Sequence, residues 1–238
     1  MNAQELFRAG RLDEAIELLG VELRSNPTDA QRRTFLFELL CFAGAHDRAE
    51  KQLDVLGRGD RQAELGALLY RAALHADRTR QNMFLKGDYP RGPSPPDATG
   101  AVNGRACEAL VDADPRIGAR LEVFAAGQYM WIPFERIATI RMAPPKRLRD
   151  LLWAPAVVRA AGGFRDLELG EVLMPVLAPL SWQHADGAVR LGRVTEWAEL
   201  EDGTQAPMGQ KLLLADGEEV PILELRELDI TPAAAPAA

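Results

Sequence analysis

The chain has 238 residues, 47% of them apolar and 26% charged, the balance of an ordinary globular protein with material for one large domain or two small ones. No apolar run approaches the roughly 18 to 20 residues of a membrane span, and the start MNAQELFRAGRLDE lacks the basic region and apolar stretch of a secretory signal. The net charge is −7; residues 1–86 are balanced at 13 basic and 13 acidic, so the whole excess lies beyond them, and neither part offers the positive field that nucleic-acid binding needs.

The first predicted element contains a repeat. AGRLDEAIELL, residues 9–19, returns thirty-four residues later as AGAHDRAEKQL, residues 43–53. From Leu12 the apolar positions run through Ala15, Ile16, Leu19 and Leu23 at the spacing of one helical face, between Gly10 and Pro27. Thr28 and Gln31 have capping-box spacing and predict a second helix carrying Phe35, Leu36, Leu39, Leu40 and Phe42 up to Gly44. The next helix repeats the first, with Ala49, Leu53 and Leu56, and breaks at GRGD. A longer one follows from about Arg61 to Ala76, with Leu65, Leu68, Leu69, Ala72 and Ala73. Ala15 and Ala49 are small where paired helices must approach closely.

These units resemble tetratricopeptide repeats in Gly10, Ala15, Leu19 and Pro27, and again in Gly44, Ala49 and Leu53, over about two and a half units. In such a stack one helix of each pair lines a concave face. The repeat phase places Gln31, Thr34, Glu38, Cys41 and Phe42 there, then Leu65, Leu68, Ala72 and His75, with Phe7 and Arg8 completing one end. The heavier stripe of Leu36, Leu40 and Leu69 is assigned to the core. The mixed character of the inward set fits a groove for one amphipathic helix, with Leu65 and Leu68 equally readable as core.

Residues 87–104 are crowded with proline and glycine and read as a linker; beyond it the period shifts towards two. RLEVF and YMWIPF flank AAGQ as a hairpin, and further strands are expected at ATIRM, AVVRA, EVLMPVL, AVRLGRV and QKLLLADGEEVPILEL, the last divided at its own turn. An amphipathic helix is expected over about 146–153. The fold class is therefore α+β: a helical-repeat domain at 1–86, the linker, a β-rich, partly closed sheet or small barrel at 105–230, and a disordered tail at 231–238. The two halves are expected to have separate cores, with a protease-sensitive link near Pro90 to Thr99.

Little in the sequence carries chemistry. His46, His75 and His184 have no metal-like or catalytic spacing, and GGFRD lacks the lysine of a phosphate-cradling loop. Asp112 and Asp114 beside Pro115 could meet a cation but more naturally shape a turn. Arg141, Lys146, Arg147 and Arg149 read as a solvated loop and helix start. Cys41 and Cys107 read as reduced thiols of a cytoplasmic protein, with one disulfide as the alternative. Tyr129 and Trp131, one strand face apart from Met130 and Ile132, imply a strand buried on both sides or one with a side left for a partner.

Several separated segments, LLCFAGAHDRAEKQLDVL, DADPRIGARLEVFAAGQYMWIPFERI, KRLRDLLWAPA, GEVLMPVLAP, AVRLGRVTEW and GQKLLL, together resemble the ImpE family, also called TagJ, of accessory proteins of the bacterial type VI secretion system. The resemblance spans about residues 3–228. It implies a cytoplasmic protein that contacts the contractile sheath, with the small sheath subunit TssB and the disassembly ATPase ClpV as partners. It supplies no catalytic residue, and no metal or cofactor set is legible beside it. Two other functions stay open on the residues: a tetratricopeptide-type adaptor outside secretion, and an enzyme or ligand binder in the β-rich half.

Overall fold

A computed structural model describes residues 1–90, 92–162 and 169–231. Five helices come first: α1 (Ala3–Arg8), α2 (Leu12–Ser25), α3 (Ala30–Phe42), α4 (His46–Leu56) and α5 (Arg61–Lys86). Asn2 and Glu5 form a reciprocal capping box on α1, while Asp29 and Asp60 cap α3 and α5 through the backbone N–H groups of Arg32 and Ala63. The cap of α3 is thus Asp29 rather than Thr28. Gly10 and Gly44, one repeat apart, both have positive φ (77° and 65°) and turn the chain between helices. Ala15 and Ala49 are fully buried, as close helix pairing requires.

The fifth helix runs ten residues past the expected stop at Ala76. No breaker occurs before Gly87, which closes it in the left-handed conformation. Its two halves differ. Leu65, Leu68 and Leu69 near the start are more than half exposed, so Leu69 does not belong to the core stripe, whereas Ala73, Leu74, Ala76, Asp77, Arg80, Gln81 and Phe84 are buried.

Beyond α5 the chain forms β1 (Ala98–Val102), β2 (Arg105–Asp112), β3 (Arg120–Ala125), β4 (Gln128–Pro133), β5 (Ile137–Met142), β6 (Trp153–Ala160) and β7 (Gly170–Pro175). A short helix, α6 (Gly187–Arg190), precedes β8 (Glu196–Glu199), β9 (Gln205–Met208), β10 (Leu212–Ala215), β11 (Glu218–Pro221) and β12 (Glu227–Ile230). Ten strands make one antiparallel sheet in the order β11-β10-β2-β1-β12-β5-β6-β7-β3-β4, while β8 and β9 form a separate ribbon. The β3–β4 hairpin turns through Ala126 and Gly127, both at positive φ, the twist-matched geometry for a two-residue loop. Leu110, Val123, Ile132, Ile140, Met174, Leu213 and Leu228, from strands far apart in that order, meet in one core cluster. A sheet whose distant strands share a core must curl, which gives the partly closed sheet expected.

Three local expectations change. AVRLGRV is not a strand: the Asp186 side chain accepts from Ala188 N (2.8 Å) and starts α6, and Gly192 at φ 65° ends the turn after it. The helix expected over 146–153 shrinks to a 3-10 turn at Leu148–Leu151, because Trp153 already pairs with Pro175 in the sheet. The linker expected at 87–104 contains β1, which pairs with both β2 and β12. Of GGFRD, residues 163–166 lie outside the described residues, as do tail residues 232–238.

The helices do not have a core of their own. The cluster built from Leu12, Leu19, Phe37, Leu40, Phe42 and Leu53 also includes Phe124, Trp153 and Leu191 from the other half. A strap over residues 181–193 adds to the joint. Trp182 lies on Gly44, where a Cβ would come within 2.6 Å of its ring, and Gly187 lies on the Gly10 carbonyl, at 1.9 Å from such a Cβ. Arg190 pairs with Asp13 (2.7 and 3.1 Å), and Arg193 donates to the Phe7 and Arg8 carbonyls (both 2.8 Å). The expectation of separate cores is replaced by one continuous junction. Limited proteolysis in the exposed stretch 92–97 should therefore yield two fragments that co-elute at the intact mass in native size-exclusion chromatography. Dissociation without denaturant would contradict a shared core.

Candidate functional site

Two features of the helical half merit chemical scrutiny: a buried charge network behind it and an open cleft in front. The network centres on Glu122 of β3, which is fully buried. Arg80 of α5 donates to it from Nε (2.7 Å) and Nη2 (2.9 Å), and Nη2 also reaches the Leu177 carbonyl (3.0 Å). The Lys211 ammonium donates to the same carboxylate (2.6 Å) and pairs with Asp112. The Tyr129 hydroxyl donates to Glu122 Oε1 (2.5 Å) and accepts from the Trp131 indole. Two cations thus face two carboxylates. Burial works against ionising Glu122, but Arg80 and Lys211 hold its pKa well below the usual carboxylate range. Asp112 is driven upward by burial, with Lys211 opposing. Burial raises Tyr129 above the usual phenol range, with Glu122 adding to it.

A second polar group lies beside this one. His46 Nε2 is 3.1 Å from Asp77 Oδ2, Gln81 donates to Asp77 (3.3 Å), and the Gln81 carbonyl accepts from Leu180 N (3.1 Å). With Cys41, Ser181 and Trp182 they surround a cavity of about 20 Å³, room for one water and no substrate. Burial raises the Cys41 thiol well above its ordinary range. Ser181 Oγ is engaged as donor to the Ala178 carbonyl (2.7 Å) and acceptor from Gly209 N (2.8 Å). The thiol is held neutral and the hydroxyl is occupied, so this constellation has no activated nucleophile.

The cleft has a volume of about 810 Å³ and lies between α1 and α3, with Leu19 and Glu22 of α2 and Leu148 closing it. Phe7 and Phe35 meet edge to face with ring centroids 5.7 Å apart, and the Arg193 guanidinium covers Phe7 at 4.7 Å. On the rim Arg32 ties Glu22 (2.8 Å) to Asp29. Glu38 lines the cleft, is only 8% exposed, and accepts no hydrogen bond among the described residues. Burial lifts its carboxyl to about 7, with Arg149 pulling the other way.

Of the residues assigned to the concave face, the structure gathers Phe7, Arg8, Gln31, Thr34 and Glu38 into this cleft. Cys41 and Phe42, expected beside them, are buried instead and line the small internal cavity. Leu65 and Leu68 are exposed on α5 outside the cleft, Ala72 abuts the Gly127 turn, and His75 is exposed. Leu19, Phe35 and Leu148 are cleft residues that sequence reasoning missed. Phe35 belongs by spacing to the apolar set of its own helix, and nothing near Leu148 in sequence points to α3. Asp112 and Asp114 do shape a turn, through Asp114 N to Asp112 (3.0 Å) and Arg116 N to Asp114 (3.0 Å). The basic loop borders cavities of about 220 and 250 Å³ whose linings hold no histidine, cysteine or serine. Among the described residues no cluster of histidine, cysteine or carboxylate side chains could hold a metal, and no helix is long and apolar enough to cross a membrane.

Comparison with known proteins agrees with this architecture. The tetratricopeptide-repeat profile matches residues 6–74, the helices that form the cleft, and the profile described as ImpE protein matches residues 104–229. A Pseudomonas aeruginosa protein described as type VI secretion system accessory component TagJ is 35% identical, over 98% of this chain and 92% of that one. The chain belongs to the ImpE family. A crystal structure of a Vibrio parahaemolyticus protein shares the fold, with a TM-score of 0.82 at 23% identity over 96% of this chain and 97% of the other.

In this ImpE-family chain the network and the cleft give separate tests. Arg80→Met leaves Glu122 buried with one cation fewer, and urea denaturation should show a loss of roughly 3 to 5 kcal/mol. The double variant Arg80→Met, Glu122→Met should recover a large part of that loss; a double variant no more stable than Arg80→Met alone would refute the pairing. For Glu38, the unfolded carboxyl titrates near 4.5 and the folded one near 7. Between those values the folded state keeps a proton that the unfolded state has lost, so stability falls as pH rises through the window. Glu38→Gln removes this fall and should gain up to about 3 kcal/mol over the parent at pH 8, with little difference at pH 4. Parallel pH profiles for the two proteins would contradict the shift.

Proposed function

We propose that this protein is a non-catalytic accessory component of the bacterial type VI secretion apparatus, working in the cytoplasm. Its cleft between α1 and α3 receives an amphipathic helix of the small sheath subunit TssB. The observation that carries this reading is the cleft itself. It is open, of about 810 Å³, and walled by Phe7, Leu19, Phe35 and Leu148, with Gln31, Thr34 and Glu38 among them. Apolar anchors flanked by polar groups suit a helix laid in a groove, the former giving affinity and the latter register. Membership of the ImpE family and the TagJ description of the Pseudomonas aeruginosa relative support the secretion context.

In this reading the helical-repeat part presents the docking face and the β-rich part is its anchor, with ClpV as the further contact implied by the family. The absence of an activated nucleophile around the His46–Asp77 pair favours binding over catalysis. A Gln31→Arg, Thr34→Arg variant should keep its circular-dichroism spectrum and melting temperature yet bind TssB at least about 10-fold more weakly in calorimetric titration. The control Leu65→Ser, Leu68→Ser, on the exposed face of α5, should bind like the parent. The opposite pattern would move the docking face to α5.

A further inference from the structure

Glu38 is the anomaly of the cleft. It is more than nine-tenths buried, it lines the cleft, and it accepts no hydrogen bond among the described residues. The Glu38 carboxylate keeps some contact with water at the cleft, and a segment that displaced this water would have to supply a partner in its place. The charge of Arg149 reaches Glu38 without a hydrogen bond, and the other nearby cations are held elsewhere. The Arg149 guanidinium lies 4.6 Å over the Tyr70 ring, Arg32 is held by Glu22 and Asp29, and Arg193 caps α1 and covers Phe7.

The surroundings of Glu38 narrow what could satisfy it. Phe7, Leu19, Phe35 and Leu148 offer an apolar wall, and two of them are aromatic. Such a wall suits the methylene stem of a long basic side chain, and an aromatic face attracts its charged head. A buried acceptor beside an aromatic, apolar wall is the chemistry of a lysine or arginine subsite.

We propose that Glu38 is the acceptor for a lysine or arginine side chain carried by the segment that docks in the cleft. The inserted cation would lay its stem along Phe7 and Phe35 and pair with the Glu38 carboxylate. This rests on the docking reading above, and it adds a requirement to that reading: the docked helix must have a basic residue within its apolar face. A helix with an uninterrupted apolar face would leave Glu38 buried and unpaired, so the subsite also discriminates against such segments.

Overlapping 20-residue peptides covering TssB of the native host, titrated against the full-length chain, test this. At least one peptide should bind, and replacing one of its lysines or arginines by norleucine should weaken binding roughly 10-fold or more. Glu38→Gln, checked by thermal melting, should weaken the parent peptide by a similar factor and leave the norleucine peptide unchanged. The proposal is overturned, with docking intact, if a peptide binds and Glu38→Gln or loss of each basic residue leaves its affinity unaltered. It falls together with the docking reading if no peptide binds.

Discussion

Glu122 is the constraint around which the two halves are arranged. A carboxylate with no exposure in the middle of a strand is tolerated only if its partners arrive from several directions with good geometry. Here they come from α5, from β4 and from the segment leading into β10: Arg80, Tyr129 and Lys211. Each donor belongs to a different element, so a correct hydrogen-bond set exists only when helices and sheet are docked in one orientation. Phe37, Phe124 and Trp153 share the apolar cluster that spans the junction, and burying such surface favours docking without fixing its direction. The ionic cluster supplies the register.

That division of labour explains why the helical part resembles a tetratricopeptide stack and yet is not an independent one. In a free stack each hairpin contacts only its neighbours and the ends carry polar caps. In this chain the second half of α5 turns a charged residue and an apolar surface towards the sheet, and its first half keeps three leucines in water. The cleft, by contrast, lies on the side of α1 to α3 that the sheet leaves open, apart from Leu148 at its edge. The face used for architecture and the face available for a partner are opposite consequences of one helix order.

Much of this was legible from residue spacing, and the rest was not for physical reasons. The thirty-four-residue period, the small Ala15 and Ala49 and the turn glycines are local signals, and they locate four of the first five helices, α2 to α5. Positive φ at a two-residue loop is likewise local, which is why the β3–β4 hairpin was readable. Arg80, Glu122 and Lys211 are 42 and 89 residues apart in pairing terms, and no local pattern links them. The available hint was a charge flanked by apolar residues, as in Leu121-Glu122-Val123, where both neighbours are buried and the strand has no wet face. Cys41 and Phe42 were misplaced because helical phase alone cannot tell a concave face from a face covered by a second domain. In AVRLGRV the alternation of apolar residues suggests a strand, but the Asp186 cap on Ala188 N starts a helical turn there.

The strap over the repeat turns has a mechanical meaning. A pair of helical hairpins joined only through their neighbours behaves as a soft spring, its pitch and opening set by small side-chain adjustments. Pinning Gly10 and Gly44, equivalent points one period apart, to Gly187 and Trp182 fixes that pitch at two places on the same rigid backing. Opening the helices around the cleft would have to pull the strap from these turns, so the fold itself fixes the cleft's shape. Arg190 and Arg193 add polar ties from the strap to Asp13 and to the Phe7 and Arg8 carbonyls, beside the same turn. A coupling of this kind makes the repeat turns and the strap move as one body.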